Sequence, residues 1–234
     1  YVQSNPQKLW SDLEVSLTKE QKIMIFTGSQ KRTSTWSTQT LEEIIKNKFP
    51  HLKVMRVDSE TVGDKERLEY RCFNNFNEFI EREQPDVLLV SPVLETGIDI
   101  TTKHFDSYWG INWGITSVNS FSQAMARIRT NIPRYIWSSN NFIGRVGNGS
   151  YFSSVLEYSQ RRQLKVNELI FQHFDSDFNP YINDSCLKLW ATRGAIVNTQ
   201  GKQLVKSVQR KFAEDYEVIE IDNVNLEQEE KQSC

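Results

Sequence analysis

Ser91-Pro-Val-Leu-Glu-Thr-Gly-Ile-Asp-Ile100 follows an apolar run, Val87 to Val90, and places Thr96, Gly97 and Asp99 in a turn at its end. Gly97 lets a backbone approach a phosphate closely, and Asp99 can accept from a ribose hydroxyl. Further along, Gln123-Ala-Met-Ala-Arg-Ile-Arg129 sets Gln123 and Arg127 at i and i+4, the spacing of one helical face, with Arg129 just beyond. Two such arginines can neutralise charge building on a transferring phosphoryl group. Read together, the two segments describe half of a nucleotide-driven motor. Each residue also has a plainer reading: Asp99 as the cap of a turn, and Arg127 and Arg129 as partners of Glu95 or Asp99 in an internal ion pair.

These segments need a scaffold, and the flanking sequence supplies alternating strands and helices. Lys22 to Phe26 reads as a buried strand, followed by a helix that Ser34, Thr35 or Ser37 can cap. Its apolar positions Leu41, Ile44, Ile45 and Phe49 follow helical spacing, and Pro50 ends it. Leu52 to Val57 is the next strand. A helix through Phe73, Phe76, Phe79 and Ile80 leads past Pro85 into the strand Val87 to Val90. His104 to Ile111 is a further strand, Ser120 can open the helix that carries Gln123, and Arg134 to Trp137 is the last strand, after Pro133. Short apolar strands alternating with amphipathic helices predict an α/β fold, a mostly parallel sheet covered by helices on both faces. Its ligand loops then lie at the carboxyl ends of the strands.

The order of these segments resembles the second RecA-like domain of superfamily 2 helicases. Lys22-Ile-Met-Ile-Phe-Thr-Gly-Ser-Gln30 is similar to motif IV, the Ser91–Ile100 segment to motif V, and Gln123–Arg129 to motif VI. The wording of Arg56-Val-Asp-Ser-Glu-Thr61, of the motif V segment and of Gln123 through Trp137 most resembles the replication proteins of cyanobacterial plasmids, a primase-helicase-like family. Viral origin-binding helicases share the Gln-x-x-x-Arg-x-Arg form. The resemblance implies that Arg129, Arg127 and Gln123 serve catalysis, with Arg129 as the arginine finger, and that Gly97 and Asp99 sense nucleotide. It also implies that Thr27, Ser29, Gln30 and Thr96 contact a nucleic-acid strand. The motif VI pattern departs from the superfamily at Ala126, where Gly is common, and at Thr130, where the final Arg is expected. No Gly-x-x-x-x-Gly-Lys-Ser/Thr loop occurs in the chain. The resemblance therefore implies ATP and Mg²⁺ held jointly with an N-terminal RecA-like domain of the same protein, and single-stranded or forked DNA as partner. The alternative is a non-catalytic RecA-like module that binds nucleic acid or a replication partner.

Length and charge fit that expectation. The 234 residues leave room for one well-buried domain plus an appendage, and the first residue, Tyr1 rather than Met, suggests a piece of a longer cytoplasmic protein without a membrane span. We expect a RecA-like unit over residues 1–140, a mainly helical extension over 141–222 and an acidic, disordered tail over 223–234. The net charge of −2 conceals a mildly basic body, because eight acidic residues and one lysine fall after residue 213. In the extension, Arg161, Arg162, Lys165, Lys202, Lys206, Arg210 and Lys211 are either a solvated face or contacts to DNA. The odd, widely spaced Cys72, Cys186 and Cys234 read as reduced thiols, the first two buried or half-buried, rather than metal ligands.

Overall fold

The computed structural model describes residues 1–3, 5–72, 75–94, 98–147, 155 and 184–221. The strands are β1 (Val2–Gln3), β2 (Ile23–Thr27), β3 (Val54–Val57), β4 (Val87–Val90), β5 (Ser107–Asn112), β6 (Arg134–Ser138) and β7 (Glu220–Ile221). They form one sheet in the order β3-β4-β2-β5-β6-β1-β7, every neighbouring pair parallel. Strands buried on both faces show no alternation, which is why the runs Ile23–Thr27 and Val87–Val90 are apolar almost throughout and wholly buried. The helices are α1 (Pro6–Thr18), α2 (Thr38–Lys48), α3 (Ser59–Gly63), α4 (Phe76–Glu83), α5 (Val118–Met125), α6 (Asp184–Gly201) and α7 (Leu204–Phe212).

The sheet separates two cores. On one face α1 and α2 bury Leu9, Leu13, Leu17, Leu41 and Ile45 against Ile23, Ile25, Trp109 and Ile111. On the other, α4, α5 and α7 bury Phe79, Ile80, Phe121, Val208 and Phe212 against Met24, Phe26, Leu88 and Tyr108. Each fully buried aliphatic or aromatic side chain here contributes about 1.5–3 kcal/mol. Helix α5 approaches β5 at Gly110, where a Cβ would lie 2.6 Å from Met125 Sδ and 2.9 Å from Phe121 Cζ. Only a residue without a side chain admits that distance.

Several sequence expectations change in detail. Helix α1 was not foreseen, although Asn5 caps it, Pro6 stands in its first turn and Leu9, Leu13 and Leu17 make one stripe. The helix before motif VI is opened by Ser117, whose side chain accepts from Ser120 N at 3.2 Å, so Ser120 lies within the first turn. Phe73 lies outside the described residues, and α4 begins at Phe76. Beyond α7, Glu220–Ile221 is extended and pairs with β1. Cys72 is buried, and burial pushes its thiol up to about 12; Cys186 is exposed, contrary to expectation. No helix among the described residues is long and apolar enough to cross a membrane.

At the carboxyl end of β3 a buried charge network closes the sheet edge. Arg56 donates to Glu42 at 2.7 Å, to Glu60 at 2.9 Å and to the fully buried Asp58. Asp58 also accepts from Thr38 Oγ1 at 2.7 Å and forms a capping box with Thr61 at the start of α3. Burial alone would raise the Asp58 pKa, but hydrogen bonds from Thr38, the Thr61 amide and Arg56, with the Arg56 charge, outweigh it and hold the carboxyl below its ordinary value. A depressed native pKa contributes stability that is present above about pH 4, the unfolded value, and lost as pH falls through the native one. The chain should therefore lose stability on acidification below about pH 4, and Asp58→Asn should flatten that acid limb in denaturant titrations. Arg56→Leu, which leaves the buried Asp58 carboxylate without a cation, should cost about 3–5 kcal/mol at neutral pH in the same measurement. Unchanged unfolding midpoints would show that the network contributes nothing.

Candidate functional site

All strands being parallel, the loops after β2, β4 and β5 emerge from one edge of the sheet. Asp99 and Arg129 reach each other through the backbone. Ile100 and Ile128, both buried, form an isolated parallel bridge in which Ile100 N donates to Arg127 O at 2.9 Å and Arg129 N donates to Ile100 O at 2.9 Å. The residues beside these two isoleucines are thereby aligned. Arg129 Nη2 donates to Asp99 Oδ1 at 2.8 Å and Nε to the same oxygen at 3.1 Å, with both side chains 55% exposed. The bridge also explains a correction. Gln123 and Arg127 do not share a helical face, because α5 stops at Met125 with Ala126 as its cap. Backbone groups of Arg127 and Arg129 are engaged by Ile100 and cannot continue the helical ladder.

Arg127 is partly buried and turns inward, its Nη1 donating to Ile98 O at 3.2 Å, so it props the motif V segment from below. Gln123 is exposed on α5. Gly97 and Thr96 lie outside the described residues, as does Glu95. Thr27 is fully buried and its hydroxyl donates to Trp36 O, so it anchors the loop and does not present itself to a strand. In the loop that follows, Ser29 and Gln30 are half-buried, and Lys31 and Arg32 are exposed. Gln30 spans three elements, donating from Nε2 to Ser91 Oγ at 3.0 Å and accepting from Ser59 Oγ. Of the foreseen basic residues on the extension, Arg161, Arg162 and Lys165 lie outside the described residues, while Lys202, Lys206 and Arg210 are exposed.

Two positioning residues escaped sequence reasoning. Asn77 on α4 grips the chain beyond Asp99: its Nδ2 donates to Asp99 O at 2.9 Å, and its Oδ1 accepts from the Thr101 and Thr102 amides at 2.8 and 3.0 Å. Arg134 at the start of β6 grips the arginine segment. It donates to Met125 O at 3.1 Å, Ile132 O at 3.0 Å and Ile128 O at 2.7 Å, and lies over the Tyr216 ring at 5.0 Å. A cation at the end of α5 also suits the helix dipole. In sequence Arg134 is merely a charge at the edge of a strand; its partners are set by the return of the chain after α5.

A wholly parallel sheet with helices on both faces, its motif loops gathered at one edge, defines the doubly wound class. Residues 7–131 match the helicase conserved C-terminal domain family, and the chain belongs to that family. Its parallel sheet covered by helices on both faces is the RecA-like α/β fold. Over 177 residues it is 34% identical to an uncharacterized protein of the cyanobacterium Picosynechococcus sp., a match covering 74% of this chain. The chain spans only 18% of that relative's length. Among solved structures, it is similar to the yeast DEAD-box splicing factor Prp28, with a TM-score of 0.42 and 14% identity over 81% of this chain and 36% of the other. The Sulfolobus solfataricus SWI2/SNF2 ATPase core in complex with dsDNA gives 0.37 and 13% over 85% and 34%.

The Arg134 clamp is directly testable. A lysine ammonium cannot serve three carbonyls held by a planar fork. Arg134→Lys is expected to cost about 2–4 kcal/mol, since hydrogen bonds from a charged donor contribute roughly 1.5–3 kcal/mol each and two would be lost or weakened. Urea denaturation reads the change; an unaltered midpoint would show that the segment holds itself.

Proposed function

We propose that this chain is the second motor domain of an ATP-dependent DNA helicase of the cyanobacterial plasmid replication type, and that Arg129 is its arginine finger. One observation carries the reading: the Asp99–Arg129 pair is held in register by the Ile100–Ile128 bridge yet is 55% exposed on both sides. An ion pair so exposed contributes only about 0.2–1 kcal/mol to stability. Its placement is therefore poorly explained by folding and well explained by a ligand that approaches from outside.

In this reading an N-terminal RecA-like domain brings the triphosphate and the Mg²⁺-binding acid, and this domain forms the opposite wall. Asp99 accepts from the ribose and keeps the Arg129 fork extended until the γ-phosphate competes for it. Arg129 then spreads the charge developing on the equatorial oxygens. Arg127 acts by holding Ile98, not by touching phosphate, and Gln123 orients the attacking water or the arginines. Gly97 senses nucleotide with Asp99, and Thr96 contacts the strand of DNA together with Ser29 and Gln30. Closure on ATP and reopening after hydrolysis step the two domains along the strand.

In the helicase carrying both RecA-like domains, Arg129→Ala should lower DNA-stimulated turnover by on the order of 10³-fold or more while leaving nucleotide affinity largely intact. Folding should be unaffected, given the small stabilising contribution of an exposed pair. Turnover within a few-fold of wild type would make Arg129 a surface residue, and a folded two-domain protein without hydrolysis would favour the nucleic-acid-binding module.

A further inference from the structure

The chain turns to opposite faces of the sheet after its two central strands: β2 leads to α2 on one face, while its neighbour β5 leads to α5 on the other. Such a divergence opens a crevice at the carboxyl edge, where open α/β sheets bind ligands. The two loops touch there, because a Cβ on Gly28 would lie 2.5 Å from Thr116 Oγ1. Beside them, on the face of α1 and α2, runs a cleft of about 660 Å³, a volume typical of ligand sites. Its walls are Trp10 from α1, Trp36 from the β2–α2 loop and Trp113 from the β5–α5 loop, with Pro6, Leu41 and Ile44 between. Trp113 is 37% exposed, Trp36 and Trp10 are half-buried, and the latter two meet edge to face with centroids 6.1 Å apart.

We propose that this cleft receives unstacked bases of the single strand whose phosphates run along the Ser29–Arg32 loop. Three indoles in one small cleft ask for flat, apolar rings. The loop that carries Trp36 also presents the exposed cations Lys31 and Arg32, the latter 3.8 Å from the exposed Glu43, and the polar Ser29 and Gln30, which together suit a phosphate. A chain that alternates aromatic rings with phosphates answers both demands at the spacing of one loop. An amphipathic helix without acidic residues beside its apolar face would satisfy the indoles and leave Lys31 unmatched. Trp113 is the platform that matters most: it rests against Trp137 with centroids 5.0 Å apart, so one ring is backed by another and its remaining surface faces the cleft side. Stacking of this kind is indifferent to base identity, as a translocating motor requires.

The inference rests on the nucleic-acid track proposed above, and the test separates the two. Fluorescence anisotropy would compare a labelled oligothymidylate with an abasic oligodeoxynucleotide of equal length, each titrated with the 234-residue chain. The abasic strand should bind on the order of tenfold or more weakly. Trp113→Ala should reduce oligothymidylate affinity to that level without changing abasic binding, and Trp113→Phe should restore it. Unchanged abasic binding by the alanine variant reports an intact track and fold. Equal affinities for the two strands, or no effect of Trp113→Ala, would overturn the base cleft while leaving the track in place. Failure of both strands to bind would remove the track and the cleft together.

Discussion

Two backbone hydrogen bonds, Ile100 N to Arg127 O and Arg129 N to Ile100 O, fix how Asp99 and Arg129 stand to one another. They join the chain leaving motif V to the chain leaving α5, and they do so between two isoleucines that the core buries almost completely. A bridge of one residue pair has little strength of its own; it persists because Ile100 and Ile128 belong to the cluster beneath α4 and α5. Once it exists, the residues that flank it have no freedom of register. Asp99 must stand beside Arg129, Arg127 must fall underneath, and α5 must end two residues before Arg127. The clamp of Arg134 on three carbonyls and the grip of Asn77 on the Asp99–Thr102 backbone reinforce the two strands of this junction from opposite ends.

The junction shows why part of the site was legible in the sequence and part was not. A parallel strand buried on both faces declares itself as an apolar run, so the strands at Ile23, Val87, Ser107 and Arg134 were readable within a few residues. The order of motif residues was readable for the same reason, since each follows such a run. The i, i+4 spacing of Gln123 and Arg127 predicted a shared helical face, and a tertiary contact overrode it. No local signal announces that Ile128 will pair with a residue so far back in the chain. Thr27 was similarly misjudged. Its position at the end of β2 suggested a surface role, but the last residue of a central strand is still under cover, and the half-buried hydroxyl and amide come two and three residues later, at Ser29 and Gln30.

Helix α1 is a different kind of omission. Its signals are all local: an Asn cap, a proline in the first turn and leucines four residues apart. Its significance is not local, because it covers the sheet face opposite α5 and supplies Trp10 to the cleft that Trp36 and Trp113 complete. Those three indoles come from segments separated by most of the domain. Residue type does not sort the tryptophans: Trp109 and Trp137 are buried, whereas Trp113 is 37% exposed. Burial, rather than residue type, separates a packing tryptophan from one that can meet a ligand.

Strand β5 connects the two surfaces. Toward one face Tyr108 donates its hydroxyl to Ala124 O of α5 at 3.0 Å, and Gly110 admits Met125 and Phe121 at contact distance. Toward the other, Trp109 and Ile111 pack under α1 and α2, and the strand then runs directly into Trp113. The helix that leads to Arg129 and the ring at the mouth of the cleft are thus carried by one six-residue strand, on opposite sides of a close-packed sheet. Interiors at this density do not absorb displacement locally. A shift of α5 large enough to move Arg129 must either break the Tyr108–Ala124 hydrogen bond or be borne by β5 itself, and β5 ends at Trp113. Residue 110 sets the terms of that choice: the absence of a side chain there allows α5 to sit in direct contact with the strand, with Met125 and Phe121 against its backbone.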